Sequence, residues 1–383
     1  MKKFCLLILA ITFLFPAVSY SAEPIKIGVS LGLTGKYTEL GKMQERGYRL
    51  WESEVNNQRK LLGREVRMII KDDQSNPEKA AELYKEMLVD EKVDLIFGPY
   101  SSGITNAILP VTSEFGYPVL ANGASSDKLW QQGYDHIFGL YIPAGKYTVG
   151  FLEMLRTSGM TDIAIVSADD PFSVTMSEGT RKWAERFGLN VVYFRRFKKG
   201  TSNLDDIAEE AKRSGASALI VCGHFNESVD AKRSLSNIRW QPTAYYASVG
   251  PVLQKYSDVL GKYAENSFSS SQWEYHPKLS YPGSREFFLT FTETYGIKPS
   301  YHAASAFAGG TVLEAAVNKV GSLDRKKIRE MLSTMDVMSI LGRYGVDRTG
   351  MQIRQFPVII QWQNSKKEIV WPKELRTAIP VFE

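Results

Sequence analysis

The sequence predicts an α/β protein of two lobes, each a doubly wound parallel sheet, and three observations lead there. At 383 residues the chain is too long for a single compact core and long enough for two domains of ordinary size. Short apolar, β-branched runs alternate with longer amphipathic stretches, as repeated β-α units require, and the alternation runs through twice. With 44% apolar and 23% charged residues, the chain has too much hydrophobic material for disorder.

The first series places strands at 25–31, 66–71, 95–98 and 118–121, with helices at 40–58, 77–90 and 104–115. Pro77 suits a first helical turn and Asn76 before it is an N-cap. The second series follows the short run 137–141. Its strands are 163–167, 191–197, 218–222 and 243–247, separated by helices at 172–187, 204–213 and 227–238. From 282 the pattern turns helical to 295, then at 303–320 and 325–335, before a last strand at 357–362. No Gly, Ser or Pro-rich linker divides the halves, so several crossings between compact lobes fit as well as one tether.

The N-terminus carries Lys2 and Lys3, an apolar run of about a dozen residues, and then the small residues Ser19 to Ala22. That is the layout of a secretory leader, and Ser19 at the −3 position favours cleavage after Ser21, giving a signal peptide at 1–21. The run falls short of the roughly 20 apolar residues of a spanning helix. Cys5 leaves with the leader, so no lipid anchor is expected, and Cys222 in an apolar run reads as buried. Export without an anchor points to the periplasm. A net charge of +5, with no basic block, gives nucleic acid little purchase.

Gly28-Val29-Ser30-Leu31-Gly32 matches the G-x-S-x-G nucleophile elbow, but Ser30 falls inside the first strand, so a catalytic serine is rejected. His136, His224, His276 and His302 lack the spacing of a zinc site, and no phosphate-binding glycine loop occurs. No metal, cofactor or catalytic residue is expected. The informative segments are two loops. Tyr100, Ser101, Ser102 and Gly103 lead straight into the helix at 104, where free N–H groups and hydroxyls suit a small carboxylate. Gly123, Ala124 and Ser125 follow the neighbouring strand and lie beside them. Tyr37, Tyr141, Phe172 and His224 recur at the same edge as an aromatic wall.

With these residues in view the chain resembles the periplasmic leucine/isoleucine/valine-binding proteins, type I solute-binding components of ABC importers. The resemblance spans the mature chain. It is carried by Ile25 to Gly28 with Leu33-Thr34-Gly35, Gly41 and Gly47, Asp72-Asp73 with Asn76-Pro77, and Gly98 with Ser101-Ser102. Pro118-Val119-Leu120 with Ala124-Ser125 and the closing Val370-Trp371-Pro372 complete it.

The resemblance implies two Rossmann-like lobes joined by three crossings, 24–142 plus 276–352 and 143–275 plus 353–383, closing like a hinge on the ligand. It implies that Ser101 and Ser102 hold a ligand carboxylate, that Gly123 and Ser125 face its α-substituent, and that Tyr37, Phe172 and His224 form walls. It also implies a monomer that delivers an amino acid or related aliphatic or aromatic acid to a membrane permease; a sensor module for a signalling partner is the alternative. One position departs from the family. Amino-acid binders carry an acidic side chain where this chain has Ser248-Val249-Gly250, so a ligand without an α-amine is expected, with Trp273 and Tyr275 adding apolar wall. Asp169 or Asp170 are the other candidates for that charge.

Overall fold

The computed structural model describes residues 23–58, 60–279 and 281–382; the leader expected at 1–21 lies outside them. The first series begins with β1 (Ile25–Leu31), α1 (Thr38–Gln58), β2 (Val66–Asp72), α2 (Pro77–Val89) and β3 (Leu95–Phe97). It ends with α3 (Ser102–Glu114), β4 (Val119–Ala121) and β5 (Ile137–Gly139). These strands pair in parallel in the order β2-β1-β3-β4-β5. Asn76 caps α2 as its sequence position indicated, its side chain accepting from the Lys79 N–H at 2.8 Å, with Pro77 in the first turn.

The chain then enters a second unit. It comprises α4 (Val149–Thr157), β6 (Asp162–Ala168), α5 (Pro171–Arg186), β7 (Asn190–Phe197) and α6 (Asp205–Arg213). After these come β8 (Ala218–Cys222), α7 (Phe225–Asn237), β9 (Ala244–Ala247), α8 (Gln254–Leu260) and β10 (Ser267–Ser271). It returns as α9 (Ser284–Tyr295), α10 (Tyr301–Val320), α11 (Arg325–Thr334) and the small hairpin β11 (Val337–Ser339) and β12 (Gly342–Tyr344). A last passage brings β13 (Val358–Gln363) and β14 (Lys366–Trp371). The second sheet runs β14-β13-β10-β9-β8-β6-β7, with β13 antiparallel to β10 and β14 antiparallel to β13. The fold is therefore two Rossmann-like lobes linked by three passages of chain.

Six elements depart from the expected list: the helices α4 and α8, the strand β10, the small hairpin of β11 and β12, and the hairpin partner β14. The sequence of β10 is Ser-Phe-Ser-Ser-Ser, which reads as a loop, yet it lies mid-sheet between β9 and β13 with all five residues buried. Its hydroxyls are satisfied internally: Ser269 donates to the Ser248 carbonyl, Ser270 to that of Tyr147, and Ser271 to that of Trp273. Strand β14 opens with Lys366, Lys367 and Glu368, which hides its period-two pattern, and it pairs on one side only.

The long helix α10 packs along α1 through small residues. A methyl group on Gly47 would overlap the Ala303 carbonyl oxygen, and one on Gly310 would overlap the Trp51 indole. Gly47 is fixed by the close approach of the α10 backbone and Gly310 by the Trp51 ring. Ser30 lies in β1, buried, and donates to Asp73 Oδ2 at 2.8 Å. Cys222 is buried at the end of β8.

Candidate functional site

Both sheets carry the strand order 2-1-3-4-5 in their parallel parts: β2-β1-β3-β4-β5 in one and β7-β6-β8-β9-β10 in the other. In such a sheet the connections leave in opposite directions on either side of the first strand, so a crevice opens beyond the carboxyl ends of the first and third strands. The loops after β1 and β3 carry Tyr37 and Tyr100 to Ser102, and those after β6 and β8 carry Asp170 to Phe172 and His224. The two crevices face each other. Between them lies a narrow cavity lined by residues of both lobes.

One side of the cavity is built from hydrogen-bond donors. Helix α3 begins at Ser102 without a side-chain cap and without an acidic residue in its first turn. The first N–H bonded within the helix is that of Thr105, to the Ser101 carbonyl, so the amides at its start point outward with the positive helix end. Ser102 Oγ accepts from the N–H groups of Ser125 at 3.1 Å and Ser126 at 3.0 Å. Both of its acceptor sites are thereby filled, and its own proton is the one left to give. A second chain of bonds reaches Ser125. Gln272 Oε1 accepts the Ile142 N–H, which orients the amide. Gln272 Nε2 donates to Tyr147 Oη at 2.5 Å, and Tyr147 donates to Ser125 Oγ at 3.2 Å. Ser125 thus has a hydroxyl proton to offer.

The other lobe contributes a charged cluster that is closed on itself. Asp170 caps α5: Oδ1 accepts the N–H groups of Phe172 and Ser173, and Oδ2 accepts the Ser173 hydroxyl at 2.6 Å and Lys199 Nζ at 3.2 Å. His224 Nε2 lies 3.2 Å from Asp170 Oδ1, while its Nδ1 lies 2.7 Å from Tyr100 Oη in the opposite lobe. Lys199 also reaches Glu227 at 3.4 Å, and Glu227 holds the His224 backbone N–H. Burial works against the charge on Asp170, but His224 beside it, the Lys199 ammonium and the Ser173 hydroxyl hold its carboxyl below the usual carboxylate range. Burial, and after it the Lys199 charge, push His224 below the ordinary imidazole range against the pull of Asp170, so the ring is neutral.

Of the residues expected at the site, Tyr100, Ser101, Ser102, Gly123, Ser125, Tyr141, Phe172 and His224 line the cavity. Three stand behind it. Tyr37 packs its ring on Tyr100 at 5.3 Å and on His224 at 5.0 Å. Ala124 is buried next to Ser125. Ser248 turns its hydroxyl to Gly223, donating to the carbonyl at 2.5 Å and accepting from the N–H at 2.9 Å, and its neighbour Val249 lines the cavity. Trp273 and Tyr275 are spent elsewhere, on the rings of Phe287 and Phe288. The lining residues the sequence reading passed over are Tyr147, Val249 and Tyr301. Tyr301 carries a signal that was available, an aromatic at the helix start after Pro299-Ser300. Tyr147 carries none, because only folding brings it to Ser125.

Comparison with known proteins gives the family and the fold. The family model described as periplasmic binding protein matches residues 24–367. A Leu/Ile/Val-binding protein homolog 7 from Brucella melitensis is 23% identical over 384 residues, covering 96% of each chain. The branched-chain amino acid transporter substrate-binding protein LivJ of Streptococcus pneumoniae, solved with isoleucine, superposes with a TM-score of 0.82 at 18% identity, over 90% of this chain and 98% of that one. A solute-binding protein of an ABC transporter from R. palustris, solved with benzoate, gives 0.81 at 19% identity, over 93% and 98%.

Proposed function

We propose, from the premise that this chain belongs to the periplasmic binding protein family, that it captures a small aromatic carboxylate lacking an α-ammonium between its lobes and delivers it to the membrane permease of an ABC importer. The fold does not choose between ligands, since proteins that share it were solved with isoleucine and with benzoate. The cavity's charge pattern carries the choice. None of the described residues lining it is acidic. Desolvating an ammonium with no counter-charge costs on the order of several kcal/mol. Asp170 does not supply it, being occupied by Lys199, His224, Ser173 and two backbone amides, and Asp169 is exposed and accepts the Lys199 N–H.

A carboxylate without an amine meets what the site offers. The outward amides of α3 and the hydroxyls of Ser102 and Ser125 match its charge, with Ser101 and Gly123 beside them, and Tyr100, Tyr141, Tyr147, Phe172 and Tyr301 enclose a ring. Placement in the periplasm rests on the family and on the leader read at 1–21. Among the described residues no helix is long and apolar enough to cross a membrane. Lobe limits of 24–142 with 276–352, and 143–275 with 353–383, are supported by sheet membership, as is action as a monomer by the self-contained cleft. No observation favours the signalling alternative.

A thermal-shift panel tests the reading, with benzoate, phenylacetate, 4-methyl-2-oxopentanoate, leucine and isoleucine as probes. A ligand at a hundredfold excess over its Kd stabilises by about 2.7 kcal/mol. Upward shifts with benzoate or phenylacetate and none with leucine or isoleucine are expected. The reverse pattern overturns the assignment.

A further inference from the structure

Resting on the aromatic-carboxylate reading of this same cavity, we infer that Tyr100 selects for a ring hydroxyl: the chain Asp170, His224, Tyr100 fixes the phenol of Tyr100 as an acceptor, so the ligand is a hydroxylated aromatic acid. The argument is one of hydrogen-bond direction. An ionised carboxylate only accepts, and Asp170 is held as an ion at the start of α5 by two backbone amides and Lys199. Its bond to His224 therefore needs a proton on Nε2. In a neutral ring that leaves Nδ1 with only its lone pair. Nδ1 lies 2.7 Å from Tyr100 Oη, so the Tyr100 O–H donates to it.

A phenol has one proton, and this one is spent across the cleft. Whatever polar group of the ligand meets Tyr100 Oη must itself donate. A ring O–H does so. A ring ether, carbonyl or nitro group brings lone pairs against lone pairs, and an unsubstituted ring leaves the buried oxygen without a partner on that side. Tyr100 is 4% exposed, so water does not substitute freely. His302 does not compete for this role. It packs behind Tyr100 at a ring separation of 5.6 Å and is fully buried. The cavity is thus polarised, with proton donors at Ser102 and Ser125 for the carboxylate and an acceptor at Tyr100 for the far substituent. The same logic lets a site built around a hydroxyl reject its alkylated or missing counterpart.

Isothermal titration of the mature protein with benzoate, 3- and 4-hydroxybenzoate and 3- and 4-methoxybenzoate reads this directly. At least one hydroxybenzoate is expected to bind about tenfold tighter than benzoate, the worth of one well-made buried hydrogen bond, with the methoxy acid of that position no better than benzoate. In Tyr100→Phe the ratio of hydroxybenzoate to benzoate affinity falls to within about threefold. His224→Leu frees the Tyr100 proton, and there the hydroxy-over-methoxy preference collapses because the methoxy acid gains. A purely structural role would weaken every acid alike. If benzoate binds and the hydroxy and methoxy acids match it, or if Tyr100→Phe keeps the preference, the inference is overturned while the carboxylate reading stands. If none of the acids binds, both fall.

Discussion

Removing one hydroxyl, in Ser102→Ala, separates the two jobs that Ser102 performs. The side chain is 1% exposed and accepts two backbone amides, those of Ser125 and Ser126, at 3.1 and 3.0 Å. Alanine leaves both buried donors without a partner, and each such group costs about 1–3 kcal/mol. The ligand-free protein should therefore lose about 2–6 kcal/mol of stability, read as a lower urea midpoint with an unchanged slope. The second job concerns the ligand. A hydrogen bond to a charged group is worth about 1.5–3 kcal/mol. Its loss weakens carboxylate binding by about 10- to 150-fold in a calorimetric titration with whichever aromatic acid the panel selects. The loss should be uniform across that panel, because the carboxylate is common to all of it. A Kd for benzoate or its relatives within about twofold of the parent protein would refute the placement of the carboxylate at Ser102.

Two further outcomes follow from other parts of the molecule. In Gly47→Ala the new methyl meets a backbone oxygen of α10 that cannot rotate away, so overpacking should destabilise by about 1–3 kcal/mol, seen in the denaturant midpoint. His302 is buried against Tyr100, Tyr141 and Tyr301, with Ser300 at its Nδ1 and the Lys367 ammonium nearby, and burial is the main force pushing its pKa down to about 3. The unfolded chain binds a proton there near pH 6.5 and the folded one does not, so this residue's contribution is full above pH 6.5 and is lost as pH falls toward 3. His302→Phe should remove that dependence. The parent should lose up to about 1.4 kcal/mol per pH unit relative to the variant between pH 6 and 4, and parallel profiles would show that the ring is already charged when folded.

The elements that sequence alone exposed are those whose local chemistry agrees with their tertiary role. The strand at 25–31, the capped helix behind Asn76-Pro77 and the apolar run ending in Cys222 are each buried by the same residues that predict them. The elements it hid have surroundings that contradict their composition. Five residues as polar as Ser-Phe-Ser-Ser-Ser become a central strand because carbonyls of Ser248, Tyr147 and Trp273 wait for their hydroxyls. At the site, the serines, glycines and aromatics after strands were legible because strand ends in a doubly wound sheet must converge. Their polarity was not.

What the sequence determined by itself is the set of groups at the cleft: hydroxyls and outward amides on one lobe, rings on both, and no carboxylate at 248–250. What only the folded chain decided is the direction in which each proton points. Gln272 is 125 residues from Tyr147, and Tyr100 is 124 from His224. A hydroxyl can give or accept, and nothing in its own neighbourhood along the chain says which. The choice is made by a distant partner whose capacity is already filled, Asp170 for His224 and the Ile142 amide for Gln272, and such partners meet only when the lobes are built.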